Sequence, residues 1–133
     1  MLSFKLLILE DDLLTLSKLL AKLSNLEDSY HYEFRPIILS DYTQVQDYVN
    51  NNPKADFDII LLDRDCKLGG SFHVLDIERF GAHKIISISS VPDYNEQALK
   101  RGVKRVVYKD YSDLDRFATD LAKEIAGMIT DTR

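Results

Sequence analysis

Three short apolar runs in this chain each end on a side chain able to do chemistry. Leu6-Leu7-Ile8-Leu9 runs into Glu10-Asp11-Asp12, Ile59-Ile60-Leu61-Leu62 into Asp63, and Val106-Val107-Tyr108 into Lys109. Apolar runs without polar alternation read as strands buried on both faces, the habit of a parallel sheet covered by helices. In open sheets of that kind ligands bind beyond the carboxyl ends of the strands. Carboxylates and one ammonium around a single crevice outline a metal and phosphoryl site. Three carboxylates within ~4 to 6 Å repel one another by a few kcal/mol unless a cation fills the gap. Mg²⁺ suits such a gap, because it takes a few oxygen ligands, keeps waters and bridges to phosphate.

The elements that must position these residues follow from periodicity. Leu13, Leu16, Leu20, Leu23 and Leu26 recur at spacings of three and four, which predicts an amphipathic helix capped by Asp11 or Asp12. His31 to Leu39 reads as a second strand, and Ser40-Asp41 opens a helix carrying Val45, Tyr48 and Val49. Asn50-Asn51-Asn52-Pro53 ends that helix. Phe57 to Leu62 is the third strand, followed by a loop from Asp63 to Ser71 and a helix from about Phe72 to Phe80, with Gly81 past its end.

Lys84 to Ser89 is read as the fourth strand, Pro92 to Arg101 as a helix stopped by Gly102, and Lys104 to Tyr108 as the fifth strand. In the last helix Ser112 and Asp115 resemble a capping box, and Leu114, Phe117, Leu121, Ile125 and Met128 form one stripe. Ile129 to Arg133 is expected to lie outside the domain as a frayed tail. Strands alternating with helices specify a doubly wound α/β fold with helices on both faces.

With 133 residues, one domain is expected over 1–133, standing alone. The net charge is −5, and no basic run points to nucleic acid. The cluster Lys100-Arg101 to Lys104-Arg105 reads as a solvated rim. A single cysteine, Cys66, excludes an internal disulfide framework and fits a reducing, cytoplasmic setting. The N-terminal apolar run is cut by three acids, so neither a signal peptide nor a membrane association is expected. His31, His73 and His83 are too scattered to form a metal set.

The residues at the strand ends also carry a resemblance. In order along the chain, Glu10-Asp11, Asp63, a hydroxyl at Ser89 and Lys109, with Gly102 seven residues before the lysine, resemble the receiver domain of two-component response regulators. The resemblance runs from Lys5 to about Met128. It implies a flavodoxin-like five-stranded parallel sheet in the order 2-1-3-4-5 with five helices. It implies that Asp63 accepts a phosphoryl group, that Lys109 pairs with Asp63 and then with the phosphoryl group, and that Ser89 hydrogen-bonds a phosphoryl oxygen. Mg²⁺ would be held by Asp11 and Asp63, by Glu10 partly through water, and by the backbone carbonyl of Asp65.

Ser87 is a rival to Ser89, which is preferred because Ile85 to Ile88 places it at the strand's exit. The implied partners are a sensor histidine kinase or a histidine phosphotransfer protein and a downstream protein, with the chain a monomer or weak dimer and no enzyme toward outside substrates.

The chain departs from the family at several points. Asp110 replaces the usual proline after the lysine, and the position three before the lysine, usually a switch aromatic, is Val106. Val106 is too small to swing between rotamers and is expected to be a core residue, so transmission falls to the short segment Val91 to Arg101 and its Tyr94. The loop Cys66-Lys67-Leu68-Gly69-Gly70 lacks the family's frequent proline, and Gly69-Gly70 is expected to make it more flexible. Two other readings compete. One is a receiver-like binding module without regulated phosphorylation. The other is a Mg²⁺-dependent phosphatase of the haloacid-dehalogenase type, suggested by Leu61-Leu62-Asp63-Arg64-Asp65.

Overall fold

The computed structural model describes residues 1–67 and 69–131. Five strands form one parallel sheet: β1 (Leu2–Leu9), β2 (Tyr32–Leu39), β3 (Ile59–Leu62), β4 (Ile85–Ser87) and β5 (Arg105–Val106), in the order β2-β1-β3-β4-β5. The helices are α1 (Leu13–Tyr30), α2 (Tyr42–Gln44), α3 (Ile77–Phe80), α4 (Pro92–Lys100) and α5 (Leu114–Asp131). Alternate side chains of the inner strands leave opposite faces, so both must be apolar. Leu6, Ile8, Leu61 and Ile86 pack with α1 and α5, while Leu7, Leu9, Ile60, Leu62 and Ile85 pack with the other helices. This is the doubly wound sheet that the apolar runs foretell.

Several boundaries differ from the sequence reading, each for a physical reason. The buried face of α1 is Thr15, Leu16, Leu19 and Leu23, whereas Leu13 is 77% exposed. Asp12 caps this helix through Thr15 N and Thr15 Oγ1. After Gln44 the second helix widens into a π-helix over Val45–Asn50, which buries Val45 and Val49 and leaves Tyr48 exposed.

The expected third helix is broken into a 3-10 turn, Phe72–Val74, and the single turn α3. The cause lies at a distance. Asn50 takes the Val74 carbonyl and the Asp76 N–H through its side chain, and Asp76 starts the helix anew by accepting from Arg79 N. The Arg79 guanidinium then reaches back to the carbonyls of Val49, Asn50, Asn52 and Ala55.

The capping box expected at Ser112 does not form, because Ser112 N and Oγ both donate to Asp110 Oδ1. Asp113 caps α5 instead by accepting from Arg116 N, and Asp115 pairs with Lys18. The tail is not frayed up to Asp131: α5 continues to that residue, and Ile129 is buried beside Met128. The last two residues of the expected tail lie outside the described residues. Val106 is no core residue; it lies about one-third exposed in a groove between β5 and α5, with Tyr108 and Arg116.

The sheet has two contrasting edges. On β2, Arg35 to Ile38 are exposed, and Pro36, paired with Leu6, interrupts the donors of that edge. The opposite edge, β5, is two residues long.

The two helix faces give a direct test. Ile125→Ala, at a fully buried position of α5, should lower stability by about 2 to 5 kcal/mol in urea denaturation, whereas Leu13→Ala should stay within about 0.5 kcal/mol. Equal losses would mean that α1 is rotated about its axis.

Candidate functional site

The ladder of the sheet continues one or two residues past each inner strand and so delivers the site. Asp63 N donates to Leu9 O (3.1 Å), Ile88 N to Leu62 O (3.0 Å), Val107 N to Ser87 O (2.9 Å) and Lys109 N to Ser89 O (3.2 Å). Glu10, Asp63, Ser89 and Lys109 are therefore fixed by backbone bonds to rigid strands. Beyond them lies a pocket of about 190 Å³ lined by Asp11, Asp63, Asp65, Ser89, Tyr94 and Tyr111, among others.

At its floor the Lys109 ammonium is 1% exposed and lies between two carboxylates, 2.9 Å from Asp63 Oδ2 and in an ion pair with Glu10 Oε1. The other oxygens are also engaged. Glu10 Oε2 accepts from the backbone N–H groups of Asp11 and Asp12, and Asp63 Oδ1 from that of Arg64. Asp11 stands nearer the mouth, where its Oδ2 accepts from Lys67 N.

Burial sets the protonation of this cluster. Desolvation, with repulsion from Asp63, pushes Glu10 up to about 7 against the opposing pull of Lys109. Desolvation also raises Asp63, again opposed by Lys109. Burial would strip the proton from Lys109, but Asp63 and Glu10 hold the ammonium above the usual lysine range. Cys66, on the pocket wall, is pushed up to about 11 by burial and is a poor thiolate source.

Carboxylate oxygens of Glu10, Asp11 and Asp63 lie within 4.8 Å of one another, which makes this a cluster able to hold a metal ion. The donor set fits a hard divalent cation: all oxygen, with two negative charges left when three ionised carboxylates share one ammonium. The resemblance implies the Asp65 carbonyl as a further ligand. Asp65 forms a bridge with Ser71 whose hydrogen bonds use the carbonyls of Arg64 and Gly70, so the bridge does not consume the Asp65 carbonyl. Its carboxylate accepts from Arg64 Nη1 at 2.7 Å.

Of the rival hydroxyls, Ser89 lines the pocket, and its Oγ accepts from Val91 N, which leaves its own proton available for donation. Ser87 is buried and donates to Asn95 Oδ1 at 2.6 Å.

The loop after Asp63 is less free than its two glycines suggest. A Cβ on Gly70, at φ +82°, would lie 2.1 Å from the Tyr42 ring, so the absent side chain permits a close contact that ties the loop to α2. Sequence reasoning also missed Arg64, whose guanidinium stacks 4.0 Å over the Tyr94 ring. It missed Asn95 as well, an amide buried in the first turns of α4. The usable signal was an amide three residues before Ala98, on the helix face turned inward.

Comparison with solved structures settles the architecture. The phosphorylated cyanobacterial phytochrome response regulator RcpA superposes with a TM-score of 0.74 at 18% identity, over 98% of this chain and 96% of that one. The fold is that of response-regulator receiver domains. The Mn²⁺-bound response regulator Rcp1 aligns at TM-score 0.68 and 16% identity over 89% and 91% of the two chains. A response regulator receiver domain from Rhodospirillum rubrum aligns at 0.66 and 16% over 92% and 93%. No family model matches the chain, and a comparison with the curated proteins finds no match. Among the described residues no helix is long and apolar enough to cross a membrane.

Within this receiver fold, the raised acids make stability depend on pH. Between the ordinary value of 4.5 and about 7, folded Glu10 keeps a proton that the unfolded chain has released. Its contribution is therefore full below pH 4.5 and is lost as pH rises through about 7. In a chelator, the urea midpoint of wild type should fall from about pH 5 to about pH 8, and Glu10→Gln should flatten that fall. A slope unchanged by Glu10→Gln would place the titrating group elsewhere.

Proposed function

We propose that the protein is a phosphorelay receiver that accepts a phosphoryl group on Asp63 in a Mg²⁺-dependent reaction and signals through protein contacts. The observation that carries this reading is the Asp63–Lys109 pair at the end of the central strand. It places a nucleophilic carboxylate and a compensating ammonium 2.9 Å apart beneath an open pocket.

An Asp63 oxygen would attack the phosphorus of a phosphohistidine or an acyl phosphate. The bond from phosphorus to the donor nitrogen or oxygen would break, and the donor would leave with the electron pair. Lys109 would then neutralise charge on the phosphoryl oxygens, and Ser89 would donate its free proton to one of them. Asp11 and Asp63, with the Asp65 carbonyl and Glu10 behind, would hold Mg²⁺, which supplies further neutralisation of the phosphoryl charge.

A sensor histidine kinase or histidine phosphotransfer protein would be the donor, in the cytoplasm, with no turnover of outside substrates. The phosphatase reading is disfavoured, because the Asp65 carboxylate that would serve as its acid is engaged by the Arg64 guanidinium at 2.7 Å.

Acetyl phosphate with Mg²⁺ should add one phosphoryl mass to wild type and none to Asp63→Asn by intact mass spectrometry. A phosphoryl group still gained by Asp63→Asn would put the acceptor elsewhere. Separately, about 10 mM Mg²⁺ should raise the melting temperature of wild type and leave that of Asp11→Ala unmoved. A wild-type melt indifferent to Mg²⁺ would remove the cation from the site.

A further inference from the structure

Asn95 joins three groups that the proposed chemistry would otherwise leave independent. Its Oδ1 accepts from Ser87 Oγ (2.6 Å) and from Ser89 N (3.1 Å), and its Nδ2 donates to Ser89 O (3.0 Å). That same Ser89 carbonyl accepts from Lys109 N. The amide is 5% exposed, and Ser87, also buried, fixes it to β4.

A buried amide with such partners is costly to release, since each buried group left unsatisfied keeps its desolvation penalty with no bond to offset it. The first turns of α4 are therefore latched to the backbone of Ser89 and, through one shared carbonyl, to the strand end that carries Lys109. No aromatic at position 106 competes for this role, and Val106 lies about one-third exposed in the groove between β5 and α5.

We infer that Asn95 is the positioning residue that couples the β4–α4 loop to α4, so that a displacement of Ser89 toward a phosphoryl group on Asp63 is imposed on the helix. The inference rests on Asp63 as the acceptor. Ser89 Oγ at present accepts from Val91 N. Turning toward the pocket would shift the Ser89 backbone, to which Asn95 is bonded through both its N–H and its carbonyl. Arg64, next in sequence to Asp63 and stacked on Tyr94, gives α4 a second contact with the site, but one able to slide. The amide bonds are directional, so they set the helix position.

Amide nuclear magnetic resonance shifts with Mg²⁺ and beryllofluoride, standing in for the phosphoryl group, test this. In wild type, shifts are expected at Arg64 and Ser90 beside the site and at Glu96 to Leu99 within α4. In Asn95→Ala the site shifts should remain while those of α4 fall below about half their wild-type size. Ser87→Ala, which removes one bond without touching the helix, should reduce them too, and Ser87→Thr should restore them; these variants decide the matter if Asn95→Ala does not fold.

A purely structural amide would lower the melting temperature and leave the α4 shifts at full size; that result in Asn95→Ala, or in Ser87→Ala if Asn95→Ala does not fold, overturns the coupling. Site shifts without α4 shifts in wild type would overturn the coupling alone. No shifts at Arg64 in wild type would overturn the acceptor reading and the coupling with it.

Discussion

Everything at the carboxyl end of the sheet is arranged around one buried ammonium. Removing Lys109 from water is unfavourable by several kcal/mol, and only the simultaneous presence of Glu10 and Asp63 offsets it. That demand reaches back into the sheet. The carboxylates meet the ammonium only if β1, β3, β4 and β5 hold the register Leu9↔Leu62, Leu62↔Ser87 and Ser87↔Val106. A slip of one residue would turn every charged group to the wrong face. The apolar strands and the charged site thus specify one another, and the same pairing that stabilises Lys109 keeps Asp63 poised next to positive charge.

The two faces of the sheet serve different ends. The α1 and α5 face is a continuous apolar layer, fixed by long helices. The other face is held partly by polar bonds across the chain: Arg79 on four carbonyls, Asn50 on Val74 and Asp76, and Arg101 on the carbonyls of His73 and Leu75. Directional polar contacts between short helices have discrete alternatives, whereas an interdigitated apolar layer resists rearrangement. A rearrangement would therefore meet less resistance on the face that carries α4.

Which parts could be read in the sequence depends on how local their cause is. The inner strands were legible because burial on both faces leaves an unbroken apolar run, and the acids and lysine that end them showed the crevice. The stripe of α5 was legible for the same reason. On α1 the leucines outnumber the buried positions, so spacing alone set the face wrongly at Leu13 and Leu20, both of which are exposed. The break of the third helix depends on Asn50, more than twenty residues earlier, and no local pattern at Phe72 to Phe80 encodes it. Gly70 looked like looseness and is instead a contact with Tyr42. Asn95 was easily passed over, because its only signal was one spacing, three residues before Ala98, in a helix that is otherwise largely polar.

The edges of the sheet bear on how the molecule behaves among its own copies. An open parallel edge invites another chain to add a strand, and long flat edges of that kind lead to aggregation. Here Pro36 removes a donor midway along the outer strand, Arg35 places a charge beside it, and the far edge is only two residues long. Neither edge offers an unbroken row of donors and acceptors. Side chains on helices and loops, rather than the sheet edges, are thereby left as the surfaces on which contacts with other chains could form and release without merging sheets.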